Sequence, residues 1–89
     1  MNQKKNNTIN MLIGKDIQTA RLRKDITQQQ IADFMGVTVQ TVSMWENGTD
    51  VMNLDDFFTM CNHFCFDAIV MIRSAIKASN GNGTIYRPI

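Results

Sequence analysis

Between Thr27 and Gly48 the sequence places two helix starts and two helix stops in close succession, and no other feature restricts the fold so tightly. Thr27 opens a capping-box pattern with Gln30, in which the threonine hydroxyl accepts the free N–H of the third helical residue while the glutamine reaches back. Ile31, Ala32 and Met35 give this helix an inner face, and Gly36 stands where a helix ends in a left-handed residue. Only Val37 separates Gly36 from Thr38, a second N-cap residue. The next helix runs to about Asn47, where Asn47-Gly48 stops it. The spacing predicts one helix at about 27–36 and another at about 38–47, joined by a tight turn containing glycine.

The flanking segments supply three more helices and no strand. Ile9, Ile13, Ile17 and Ala20 recur at helical spacing through Lys24, and Asp25 stands where the first helix should stop in a left-handed residue. Asn53 caps a fourth helix with Asp55 and Asp56 in its first turn, and Leu54, Phe57, Phe58, Cys61, Phe64 and Cys65 form its apolar set. Asp67 caps a fifth, Ala68 to Ala78, with Ile69, Ile72 and Ile76 on one stripe and Val70 and Met71 beside it. Residues 1–7 are polar and without periodicity, and read as a flexible arm. Residues 79–89 read as a linker leading to a tail that is either disordered or strand-like. The expected fold is therefore all-α, with five helices in one domain over residues 8–78.

Composition removes several alternatives. With 89 residues there is room for one small core, and 44% hydrophobic with 19% charged residues is an ordinary globular balance. No apolar run approaches the roughly 18 residues that span a bilayer. The segment after the charged N-terminus is too short and polar for a signal-peptide core, so a cytoplasmic address is expected. Cys61 and Cys65, four apart on a helix, read as reduced buried thiols. His63 between them points about 200° away from their face on a helix, and no further Cys or His completes a tetrahedral site, so no metal is expected. Neither a nucleophile partner for His63 nor a glycine-rich phosphate loop is visible, which argues against an enzyme. No cofactor or small-molecule ligand is implied.

Thr27-Gln-Gln-Gln-Ile-Ala-Asp-Phe-Met-Gly-Val-Thr-Val-Gln-Thr-Val-Ser-Met-Trp-Glu-Asn-Gly resembles the lambda repressor-like (Cro/C1, XRE) helix-turn-helix family. The likeness rests on Gln28, Ile31-Ala32, Gly36, Val42 and Trp45-Glu46-Asn47-Gly48, and with Arg21 and the Leu54 to Phe64 pattern it extends over roughly residues 9–72. It implies a transcriptional regulator that lays its third helix in the major groove of double-stranded DNA. Independently of the likeness, Ala32 is small enough for the two motif helices to cross closely, and Val42 and Trp45 face inward. Val39, Gln40, Ser43, Met44 and Asn47 are thereby left on the outer face.

Carried over residue by residue, the resemblance makes Gln28 and Gln40 the foremost base readers, because a glutamine amide donates and accepts together at adenine. Ser43 joins them, while Val39 and Met44 stand where relatives often carry polar readers, so contact with thymine methyls replaces hydrogen bonding and A·T is favoured. Arg21, Thr27, Thr38 and Asn47 match phosphate contacts, with Ser43 near them. Arg21 and Glu46 match an interhelical ion pair that, on a surface, is worth about 0–1 kcal/mol. Ile69, Val70, Ile72 and Ile76 offer more apolar face than one such domain buries, which suggests a homodimer.

Charge is the discordant feature. The net charge is only +1; six of nine Lys/Arg fall in residues 1–24, whereas Asp25 to Asp67 holds seven acids and no Lys or Arg. Phosphate neutralisation must come from the first helix and the arm, where Lys4 and Lys5 stand. The acidic middle keeps open a second reading: a helix-turn-helix scaffold that works through protein contacts, as an antitoxin, anti-repressor or accessory subunit.

Overall fold

The structure, a computed structural model, describes residues 3–79, with side chains from residue 9 onward. Five helices occur in order: α1 Gln3–Arg23, α2 Gln28–Met35, α3 Val39–Asn47, α4 Leu54–Phe64 and α5 Ala68–Ser79. No strand occurs among the described residues. α1 begins at Gln3, inside the segment expected to be an arm, because Gln and Lys prolong a helix readily even without an apolar stripe. At the other end Ser79, expected to begin the linker, closes α5 and donates its hydroxyl to the Ile76 carbonyl at 3.0 Å. The remainder of the linker and tail lies outside the described residues.

Local chemistry sets the boundaries. α1 stops at Asp25, whose φ of 56° is left-handed, with the Ile26 N–H donating to the Arg21 carbonyl at 2.9 Å. α4 starts where the Asn53 side chain accepts the Asp56 N–H at 2.8 Å, and α5 where Asp67 accepts that of Val70 at 3.1 Å. Gly36 ends α2 with φ 73°, a value that lets Val37 turn straight into the next helix.

α1 is the spine, packing along both α3 and α5, while α2 crosses α3 and touches α4. The core draws on every helix: Ile17 from α1, Ile31 and Ala32 from α2, Val42 and Trp45 from α3, Phe57, Met60 and Cys61 from α4, Phe66 from the α4–α5 turn, and Met71 and Ala75 from α5. Two expectations on α4 are corrected. Cys65 does not continue the α4 face; it adopts φ 61° as the C-cap and is exposed, so Cys61 alone is a buried thiol. Leu54 and Phe58 are exposed, and Met60, absent from the expected set, is fully buried. On α5 the inward face is Met71 and Ala75, with Ile72 half-buried beside them.

Burial first, and the Asp67 carboxylate second, push the Cys61 thiol up from 9.0 to about 11. Between those two values the folded chain holds a proton that the unfolded chain has released, so stability falls as pH rises through that window. Iodoacetamide at neutral pH is expected to modify Cys65 in the native protein and Cys61 only on unfolding, as followed by peptide mass spectrometry. Labelling of both at equal rates would contradict the burial.

Candidate nucleic-acid interface

α3 is held from three sides. Val42 and Trp45 are in the core, and Glu46 is 5% exposed although it carries a charge. Its partner is Arg21 on α1, whose Nε donates to Glu46 Oε2 at 2.6 Å and whose Nη2 donates to Oε1 at 3.1 Å. Arg21 also donates from Nη1 to the Ile26 carbonyl at 3.0 Å, tying the α1–α2 turn into the same network. Gln28 completes it, its Nε2 donating to Glu46 Oε1 at 3.0 Å. The pair is thus buried and bidentate, not the surface pair expected, because Glu46 lies on the inner edge of α3 beneath α1 and the start of α2.

α1 comes unusually close to α3. A Cβ built on Gly14 would lie 2.6 Å from the Glu46 carbonyl oxygen and nearer still to that of Trp45, so only glycine fits at this crossing. Sequence reasoning passed over Gly14, since a glycine within a polar-apolar helical pattern carries no mark of what lies opposite it.

The opposite face of α3 is turned outward. Gln40 and Asn47 are exposed, and Ser43 and Met44 are half-buried. Val39 is half-buried as well and packs partly on the core. Thr27 and Thr38 are exposed at the starts of α2 and α3, with their hydroxyls accepting the Gln30 N–H at 3.0 Å and the Thr41 N–H at 3.1 Å. The Thr27 N–H donates to Gln30 Oε1 at 2.7 Å, which closes the capping box. Asn47 Oδ1 accepts from the Thr49 hydroxyl at 2.9 Å and from its N–H at 3.3 Å. Among the described residues the Asn47 amide NH2 has no acceptor. The Gln28 amide, by contrast, is turned toward Glu46 and cannot address adenine bidentately without releasing it.

Two further features were not foreseen. Phe34 of α2 and His63 of α4 stack with ring centroids 3.7 Å apart and planes 7° from parallel, joining α2 to α4 at the surface. An open groove of about 500 Å³ runs between α1 and α3, lined by Met11, Leu12, Lys15, Gln18, Gln28, Ser43, Glu46 and Asn47. Among the described residues no group of three or more His, Cys, Asp or Glu is placed to hold a metal ion, and no helix is long and apolar enough to cross a membrane.

A short capped helix held rigidly by its neighbours, with a polar outer face, defines the helix-turn-helix class of DNA-binding regulators. Residues 17–64 match the helix-turn-helix family, and the chain belongs to this lambda repressor-like (XRE) family. The chain is 32% identical over 53 residues to antitoxin PezA of Streptococcus pneumoniae serotype 4, a stretch that makes up 60% of this chain and 34% of that protein. It therefore aligns with about a third of the length of the relative it matches. No solved structure matches.

Proposed function

We propose that the chain is a non-enzymatic transcriptional regulator of the phage or mobile-element repressor/Cro type, which binds double-stranded DNA sequence-specifically with α3 in the major groove. The observation that carries this reading is the two-sidedness of α3: Val42, Trp45 and Glu46 fix its inner side, while Gln40, Ser43, Met44 and Asn47 stand on the other. Gln40 is the leading base reader, because its side chain is exposed and its amide has no partner among the described residues, whereas Gln28 is committed to Glu46. Ser43 and Met44 flank it, and Val39 contributes at most the edge of its side chain. Thr27, Thr38 and Asn47 are the phosphate partners, and Arg21 serves chiefly to anchor α3. Fluorescence anisotropy with a mixed-sequence duplex over a salt series tests the reading; absence of binding even at low salt would overturn it. Gln40→Ala is expected to weaken specific binding by about 1–3 kcal/mol and to relax preference at one base pair. An unchanged preference in a selection from random duplexes would remove Gln40 from the site.

The regulator works as a homodimer in this reading. Ile69, Val70 and Ile76 are exposed on α5, at 59%, 52% and 38%, and Val51, Leu54 and Phe58 add exposed apolar surface from the α3–α4 loop and α4. A two-fold pairing through the α5 stripe lets two α3 helices address half-sites about 34 Å apart. Ile72 takes part only in margin, since it packs partly on the core. Ile69→Asp with Ile76→Asp is expected to give folded monomers by light scattering; a persistent dimer would place the contact elsewhere.

The second reading, a scaffold acting through protein contacts, is favoured by the likeness to an antitoxin and by the run from Asp25 to Asp67 without Lys or Arg. A chain that binds no duplex yet captures a partner protein would establish it.

A further inference from the structure

Resting on that DNA-binding reading, we propose that the groove between α1 and α3 seats a phosphate of the DNA backbone, with Lys15 as its cation. Of the four cations in residues 9–24, whose side chains the structure describes, three are placed elsewhere. Arg21, the arginine that the sequence allots to phosphate, has a side chain only 10% exposed and gives its guanidinium to Glu46 and the Ile26 carbonyl. Arg23 and Lys24 line a different groove, against α5, with Asp16, Asp67 and Ser74. Lys15, by contrast, shares a groove with Ser43 and Asn47 of α3.

The rest of the groove suits an anion. Met11, Leu12, Lys15 and Gln18 recur at helical spacing on one face of α1, so Lys15 and Gln18 stand together along its wall. Across from them are the Ser43 hydroxyl and Asn47, whose oxygen is taken by Thr49 and whose amide NH2 has no acceptor among the described residues. The carboxylate of Glu46 on the groove floor is paired with the Arg21 guanidinium and also accepts from Gln28, so its charge is cancelled locally. With Glu46 matched by Arg21, the net charge of the groove is that of Lys15. A flexible lysine stem delivers a point charge to a phosphate without fixing base sequence, which is the behaviour of a register contact rather than of a reader.

The test uses the full chain and its Lys15→Gln variant, with Lys24→Gln as the control on the other side of α1. Binding to a mixed-sequence duplex is followed by anisotropy between about 50 and 200 mM salt, where each neutralised phosphate contributes about −0.9 to the slope of log K against log salt. Lys15→Gln is expected to reduce the magnitude of that slope by about 0.9 per bound subunit. It should weaken all sequences alike, with thermal melting by circular dichroism unchanged, and Lys24→Gln should leave the slope as it was. In ethylation interference on a selected site, one phosphate that matters to the parent chain should fall silent for Lys15→Gln. If the parent chain binds and Lys15→Gln keeps both its slope and its interference pattern, the phosphate seat is overturned while the DNA-binding reading stands. If the parent chain binds no duplex at the lowest salt, the reading itself falls and takes the seat with it.

Discussion

Replacing Glu46 by Ala is expected to cost about 3–5 kcal/mol, because it strands the buried Arg21 guanidinium without a counter-charge. Arg21 is 8% exposed and Glu46 5%, so water cannot stand in for either partner without opening the joint between α1 and α3. Gln28 would lose its acceptor as well. A domain of this size has about 5–15 kcal/mol in all, so the variant should lose a large share of its stability and show a much lower urea midpoint with an unchanged slope. The reverse experiment separates burial from charge. In Arg21→Met with Glu46→Leu no charge is left unpaired, and buried ion pairs replaced by apolar residues of similar size are often neutral or better. The double variant should recover most of the loss, although Gln28, deprived of its partner, would then swing free and alter the DNA face. A Glu46→Ala protein within about 0.5 kcal/mol of the parent would mean that the pair is solvated.

Caps were the legible part of this fold. Thr27, Thr38, Asn53 and Asp67 each start a helix with a side chain that accepts a backbone N–H, Gly36 and Gly48 each stop one at positive φ, and even Asp25 takes the left-handed value its position demands. These are local interactions, decided within four residues, which is why sequence alone suffices for them. Burial is decided elsewhere. α5 is apolar on two faces, Ile69/Ile76 and Met71/Ala75, and hydrophobicity cannot say which of them meets α1. On α4 the same ambiguity exchanged Met60 for Phe58, although Phe57, Met60, Cys61 and Phe64 already form an i, i+3, i+4, i+7 series that a stricter count would have found. Cys65 was misplaced because a cysteine rarely adopts positive φ, so nothing marked it as the residue where α4 ends.

At the interface the same division holds. The identity of the Arg21–Glu46 pair was readable through the family resemblance, but its burial was not, nor was the capture of the Gln28 donor. Those depend on how closely α1 approaches α3, and that distance is fixed by an inconspicuous glycine.

Gly14 therefore carries the second large effect. In an unhindered helix Gly14→Ala would add about 1 kcal/mol of stability through backbone entropy. Here the new methyl meets the carbonyl oxygens of Trp45 and Glu46, backbone atoms that cannot rotate away. The clash should outweigh the propensity gain, leaving Ala less stable than Gly. Valine, larger and β-branched, should lose about 3 kcal/mol, at the upper end of ordinary overpacking. Denaturant midpoints of the three proteins order the terms: Gly above Ala above Val supports the close crossing, whereas Ala above Gly would show that α1 has room to spare. The site gives an independent readout. Because the crossing positions the last turn of α3 against α1, prising it open displaces Glu46 from Arg21 and moves Asn47 relative to Lys15. Specific binding should then fall by more than the fraction unfolded accounts for, while non-specific binding, which depends on charge and not on the pose of α3, should fall less.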